Sequence, residues 1–211
     1  GSAVIGTENA TSGGSGVIYQ LDKVTGSAYI ITNYHVVYDA YCNTANKISD
    51  DISIYLYGKE ATKYAIPATY VGGSMNYDLA VLKIENSQIL AESSAMAVTV
   101  ADSDKIQLLE SVIAVGNPEG IGLSATVGYV NVDSEYITIS MVVNGSSREI
   151  ELRCIRIDAA VNSGNSGGGL FNAKGELIGI VNAKLSDSTV DNIGYAIPSN
   201  VAVAIADNII H

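Results

Sequence analysis

Basic residues are scarce in this chain: 211 residues carry 11 Lys and Arg against 22 Asp and Glu, a formal net charge of −11. That balance repels a phosphate backbone and leaves no basic patch, which excludes a nucleic-acid partner. Long hydrophobic runs are missing too, so no stretch reads as a membrane-spanning helix. Gly1-Ser2-Ala3 has neither the charged nor the apolar region of a secretory signal, and Gly1-Ser2 reads as an artificial start. A leader or membrane anchor ahead of it is therefore left open. The two cysteines, Cys42 and Cys154, form no CxxC and no Cys/His cluster, and whether they bridge or stay as thiols is open. Charged residues reach only 16% against 47% hydrophobic, which excludes a disordered chain and supplies enough apolar mass for a proper core. Histidine is nearly absent as well: His35 and the terminal His211 are the only candidates for a neutral-pH base.

What is abundant is short β-prone runs between turn residues. Gly13 to Tyr19 and Ala28 to Thr32 form a hairpin around Thr25-Gly26. Ile52 to Tyr57, Lys63 to Val71 and Leu79 to Ile84 read as further strands. In the second half Val112 to Val115 stops at Gly116-Asn117-Pro118-Glu119-Gly120. Tyr136 to Val143 turns at Asn144-Gly145 into Glu149 to Ile157, and Leu170-Phe171 pairs with Leu177 to Val181. Only the end is helical, from Ser199 or Asn200 as N-cap after Pro198. Without alternating amphipathic helices the pattern is all-β, a barrel or sandwich rather than βαβ units. The join falls near Ala101-Asp102-Ser103-Asp104, giving residues 1–100 and 101–211 as two halves of one unit.

Chemistry concentrates in Gly164-Asn165-Ser166-Gly167-Gly168. Glycines on both sides let the backbone bend sharply and let a carbonyl approach the Ser166 hydroxyl. The same turn can aim the N–H groups of Gly164 and Ser166 at one spot, an oxyanion hole whose loss costs on the order of 10²–10³ in rate. Ser166 needs a base; His35 follows a strand, whereas His211 sits at a chain end that frays. An aspartate must accept the other imidazole N–H. Asp78, just ahead of the apolar strand Leu79 to Ile84, suits that role, with Asp158 as the rival. The stretch also satisfies the G-x-S-x-G elbow of α/β-hydrolases, but that family orders Ser before acid before His. Here the order is His35, Asp78, Ser166.

These blocks resemble the HtrA/Deg group of trypsin-like serine proteases. The likeness lies in Gly14-Ser15-Gly16-Val17-Ile18, Thr32-Asn33-Tyr34-His35-Val36-Val37, Asp78 to Ile84, Ala114-Val115-Gly116-Asn117-Pro118, Asp158 to Gly168, and Gly194-Tyr195-Ala196-Ile197-Pro198-Ser199. The resemblance implies two antiparallel β-barrels with the site between them, a His35, Asp78, Ser166 triad and an oxyanion hole from Gly164 and Ser166. It places Ala160 at the base of the specificity pocket and Val161 and Val181-Asn182-Ala183 along its wall. The absence of a carboxylate there favours small or medium aliphatic residues, with Lys184 near enough to alter this. The backbone of Ile180 to Ala183 is expected as an edge onto which an extended polypeptide adds as a strand. Control by loop ordering is expected rather than activation by propeptide cleavage, since Asn165 stands where digestive trypsins carry an aspartate.

The expected function is a serine endopeptidase acting on unfolded or extended polypeptides through an acyl-enzyme, with no metal and no organic cofactor. The alternatives are a catalytically resting, protease-fold binding or chaperone module, and an esterase. The family likeness also implies an extracytoplasmic location, in a bacterial envelope or secreted, and allows a membrane anchor and a homotrimer for which Ser2 to Ser12 is the available segment. Gly169, where the family has a proline or small residue, is expected to loosen the nucleophile loop, and Tyr34 replaces a common asparagine. No PDZ domain follows His211 in this sequence.

Overall fold

The computed structural model describes residues 2–6, 13–117, 122–143, 146–185 and 192–211. Six strands close the first barrel: β1 (Ser2–Gly6), β2 (Gly13–Asp22), β3 (Ser27–Thr32), β4 (Ile52–Leu56), β5 (Ile66–Ser74) and β6 (Leu79–Ile84), in the order β1-β2-β3-β6-β5-β4. Six more close the second: β7 (Ser111–Gly116), β8 (Ser124–Val143), β9 (Ser146–Ile157), β10 (Gly169–Asn172), β11 (Leu177–Val181) and β12 (Gly194–Pro198), in the order β10-β11-β12-β9-β8-β7. The fold is thus all-β with a C-terminal helix, as the strand pattern implies. Ser2–Gly6, expected to be available for trimerisation, is paired to both β2 and β4 and closes the first barrel. The Asn144-Gly145 turn and residues 118–120 of the break after β7 lie outside the described residues.

The connection between barrels changes sides within a few residues. Val98 N–H donates to Ile18 of β2 at 2.8 Å, whereas the Thr99 carbonyl accepts from Leu177 N–H at 2.7 Å and Ala101 N–H donates to the Leu177 carbonyl at 2.9 Å. The division expected at residue 100 falls inside this crossing.

The stretch Leu79 to Leu82 has no polar alternation because both of its faces are covered. Ala80, Leu82 and Ile84 point into the first barrel with Ile18, Ile30 and Ile54. Leu79 and Val81 point the other way, joining Val17 and Ile31 to Leu177, Ile180 and Ile197 of the second barrel and to Ala202 and Ala206. A strand buried on two faces loses its period-two signature. This shared layer fixes the two barrels against each other, so groups at the end of β3, the start of β6 and the end of β11 meet in one place.

The C-terminal helix (Ser199–Ile210) packs on that layer. Its expected N-cap is corrected: Ser199 and Asn200 lie inside the helix, and the Ser199 hydroxyl donates to the Ala101 carbonyl at 2.9 Å. The first turn is satisfied from another segment, as Asn200 N–H donates to the Ser103 hydroxyl at 3.0 Å. At the other end Tyr19 donates to Asp207 at 2.6 Å, and burial together with that carboxylate pushes the phenol up to about 12.

Both cysteines are free thiols. Cys154 is fully buried on β9, where burial and the nearby Glu135 push its thiol up to about 12. Cys42 lies half-exposed in the loop after α1 (Tyr34–Val37), with hydrogen bonding from Thr44 lowering its thiol below the usual value. The thiolate is the reactive form, so the two must differ sharply. Native protein at pH 8 should react with one equivalent of a disulfide reagent at Cys42 and release the second only on unfolding. Two fast equivalents would contradict the burial of Cys154.

Candidate active site

His35 sits not on a strand end but on the single helical turn α1, which follows β3 with only Asn33 between them. Asp78 immediately precedes β6 with φ of 51°, a left-handed conformation uncommon for a residue with a Cβ. Its surroundings hold it there. The Asp78 carbonyl accepts from Asn33 Nδ2 at 2.9 Å and from Tyr34 N–H at 3.0 Å. Its carboxylate accepts His35 N–H on Oδ1 at 2.8 Å, and Oδ2 lies 2.6 Å from His35 Nδ1 and 2.9 Å from Asn182 Nδ2. An ionised carboxylate only accepts, so His35 carries its proton on Nδ1 and keeps a lone pair on Nε2. Asp158, the rival aspartate, is used elsewhere: its Oδ1 accepts Tyr129 N–H of β8 at 2.6 Å.

The serine turn is clamped between the barrels. Gly167 adopts φ of 85°, and a Cβ on it would stand 2.2 Å from the Ser15 carbonyl and 2.3 Å from Thr32 Oγ1, so only glycine fits. Gly167 N–H donates to the Val181 carbonyl at 2.9 Å, and the Ser166 carbonyl accepts Ser15 N–H at 2.8 Å. Ser163–Asn165 forms a 3₁₀ turn in which Ser166 N–H donates to the Ser163 carbonyl at 3.3 Å. One of the two donors expected for an oxyanion hole, Ser166 N–H, is therefore taken by the Ser163 carbonyl in this conformation. Ser166 is 1% exposed and its hydroxyl accepts Ala183 N–H at 3.1 Å; no hydrogen bond joins it to His35.

The residues expected to shape specificity do not share one wall. Ala160 is exposed, with its carbonyl accepting from Thr126 Oγ1 at 2.8 Å. Val161 is half-buried and lies over Gly194, where an added Cβ would come 2.8 Å from Val161 Cγ2. Val181 is buried in the second barrel's core. Ala183 is half-buried and opens a second 3₁₀ turn, Ala183–Leu185. Asn182 is a correction: its side chain is fully buried and turned onto Asp78 instead of a pocket. A cavity of about 400 Å³ beside His35 and Asp78 is lined by neither Ala160, Val161 nor Val181-Asn182-Ala183; Tyr34, Tyr38, Met75, Ile139, Ser140, Lys184 and Leu185 complete its walls.

Two further expectations are corrected. Ile180 pairs with Gly169 on one side and Ile197 on the other, so Ile180 and Val181 offer no free strand edge. The unpaired backbone begins at Ala183, which is curled. Gly169 is not a loose point either, since it pairs with both Val115 and Ile180, and the Phe171 ring fills its side-chain space, 2.5 Å from where a Cβ would stand. Both Asn182 and Asn33 are buried around Asp78; Asn33 is a site residue that the sequence reading does not single out, and Asn182 one that it assigns to the pocket wall instead. Nothing local to Ile180-Val181-Asn182 distinguishes a polar residue at a strand end from a loop residue; only the docking of the second barrel turns it onto Asp78.

A family model described as a trypsin-like peptidase domain matches residues 14–180. The chain is 39% identical over 206 residues to the serine protease Do-like HtrA of Bacillus subtilis, covering 97% of this chain and 41% of that protein. It is 37% identical over 198 residues to the periplasmic pH-dependent serine endoprotease DegQ of Escherichia coli, covering 93% of this chain and 37% of that protein. The chain thus spans about two-fifths of the length of these relatives. The solved structure of an HtrA-type protease, AlgW, with a tripeptide superposes with a TM-score of 0.71 at 32% identity, covering all of this chain and 60% of that one. The chain belongs to the trypsin-like peptidase domain family, and the relatives it matches are its HtrA-type members.

Proposed function

We propose that the chain is the protease domain of a serine endopeptidase, with Ser166 as nucleophile, His35 as general base and Asp78 as the group that orients His35. The observation that carries this reading is the Asp78 carboxylate, bonded to both Nδ1 and the backbone N–H of His35. That geometry leaves Nε2 as a base. Nε2 takes the hydroxyl proton as Oγ bonds to the scissile carbonyl carbon, then returns it to the amine as the C–N bond breaks; water repeats the cycle on the acyl-enzyme.

The conformation described is a resting one. Two small changes make it competent: the Ser166 hydroxyl turns from Ala183 N–H toward His35, and the Ser163–Gly164 peptide turns over. The second change breaks one backbone hydrogen bond, a net cost of about 0.5–1.5 kcal/mol, which a bound polypeptide strand can offset. It frees Ser166 N–H and brings Gly164 N–H round to share the same oxyanion. Such a loop favours extended polypeptides, which supply backbone contacts along the cleft. Ala160 and Val161 are the proposed floor and wall for a small or medium aliphatic side chain, completed by Val181 and Ala183 once the loop opens. An extracytoplasmic location is part of the proposal, supported by the periplasmic DegQ among its relatives.

Wild-type protein should release peptides from unfolded casein at neutral pH, and Ser166→Ala should lose that activity by on the order of 10⁴-fold or more. Equal cleavage by both would remove Ser166 from the mechanism; binding without cleavage by either would favour a binding module. Asn182→Ala should lower kcat by roughly 10- to 100-fold, the weight of one hydrogen bond to a charged group, with little change in KM. Unchanged kcat with a raised KM would return Asn182 to the substrate pocket.

A further inference from the structure

Ser15 lies on β2 of the first barrel, is fully buried, and uses every polar group it has. Its N–H donates to the Ser166 carbonyl at 2.8 Å, and its carbonyl accepts from Thr32 Oγ1 at 2.7 Å. Its hydroxyl accepts Asn117 N–H at 2.8 Å and donates to the Gly164 carbonyl at 2.8 Å. A backbone N–H cannot accept, so the one hydroxyl hydrogen has a single place to go, the Gly164 oxygen. Three segments thereby meet on one side chain: β2, the residue after β7, and the serine turn of the second barrel.

This contact divides the turn into a fixed and a movable part. The Gly164–Asn165 peptide is held through its carbonyl by Ser15. Gly168 N–H to Asn165 and Gly167 N–H to Val181 are both 2.9 Å, whereas the bond from Ser166 N–H to Ser163 is 3.3 Å, the longest in the turn. Ser163 is exposed, so its carbonyl meets water when it swings out. We propose that Ser15 is a positioning residue of the active site: its hydroxyl anchors Gly164 so that the turn opens only at the Ser163–Gly164 peptide, delivering Gly164 N–H to the oxyanion without disturbing Ser166. The inference rests on the protease reading above, but the anchoring itself is a property of the fold.

Ser15→Ala strands the Gly164 carbonyl and Asn117 N–H in the interior, so some loss of stability accompanies any effect on chemistry. Tyr19→Phe, which removes the remote bond to Asp207, is the control for stability alone. Ser15→Ala should fold, lose kcat on a peptide substrate by about 10- to 100-fold with KM within about threefold, and leave the acid limb of the pH profile in place. Hydrogen exchange in peptides covering residues 162–168 should quicken while β3 and β6 stay protected. If Ser15→Ala fails to fold, Ser15→Cys, with its weaker donor, should show the same pattern in milder form. Turnover like that of Tyr19→Phe, or unchanged exchange in 162–168, overturns the proposal. If wild-type protein itself has no Ser166-dependent turnover, the protease reading fails, and the exchange result alone decides whether Ser15 anchors the turn.

Discussion

Everything at the cleft depends on one buried carboxylate. Asp78 is reached from its own barrel by His35 and from the other barrel by Asn182, so it joins the two halves while fixing the imidazole. A charge 7% exposed is tolerable only when its lone pairs are used, and here three donors use them. The left-handed backbone of Asp78 is the local strain that this arrangement carries, held by Asn33 and Tyr34 on its carbonyl.

The serine turn depends on the same contact between barrels but is built to move. Gly167 is wedged against β2 and β3, Ser15 grips the turn through two carbonyls, and only the Ser163 carbonyl is weakly held. The cleft therefore combines a firmly bonded His35–Asp78 pair with a turn that has one weakly held peptide. The curled Ala183–Leu185 segment also meets the serine hydroxyl, which accepts Ala183 N–H.

Much of this is legible in the residues. β6 begins and ends where the apolar run Leu79 to Ile84 does, and the hairpin of β2 and β3 turns at Thr25-Gly26, because local turn chemistry and β-branched runs act over a few residues. His35, Asp78 and Ser166 could be singled out because the alternatives were few: two histidines, a serine inside the glycine-rich stretch Gly164 to Gly168, and an aspartate against an apolar strand. What was not legible comes from packing over long sequence separations. Asn182 reaches Asp78 across 104 residues, and Ser15 reaches Gly164 across 149. Gly169 is the instructive case, since a glycine read as freedom in the sequence is paired on both sides in the fold, with the Phe171 ring packed beside it. Likewise Ile180 looked like an edge but is bonded on both sides once the second barrel closes.

Asp78 sets the tautomer of His35 in this arrangement, and ¹⁵N NMR of the imidazole reads that tautomer. With only His35 and His211 in the chain, assignment needs a single variant. At a pH where the ring is neutral, the account predicts protonated Nδ1 and bare Nε2 for His35, with Asp78→Asn disturbing that state while His211 stays unchanged. A His35 protonated on Nε2, or one indifferent to Asp78→Asn, would contradict it.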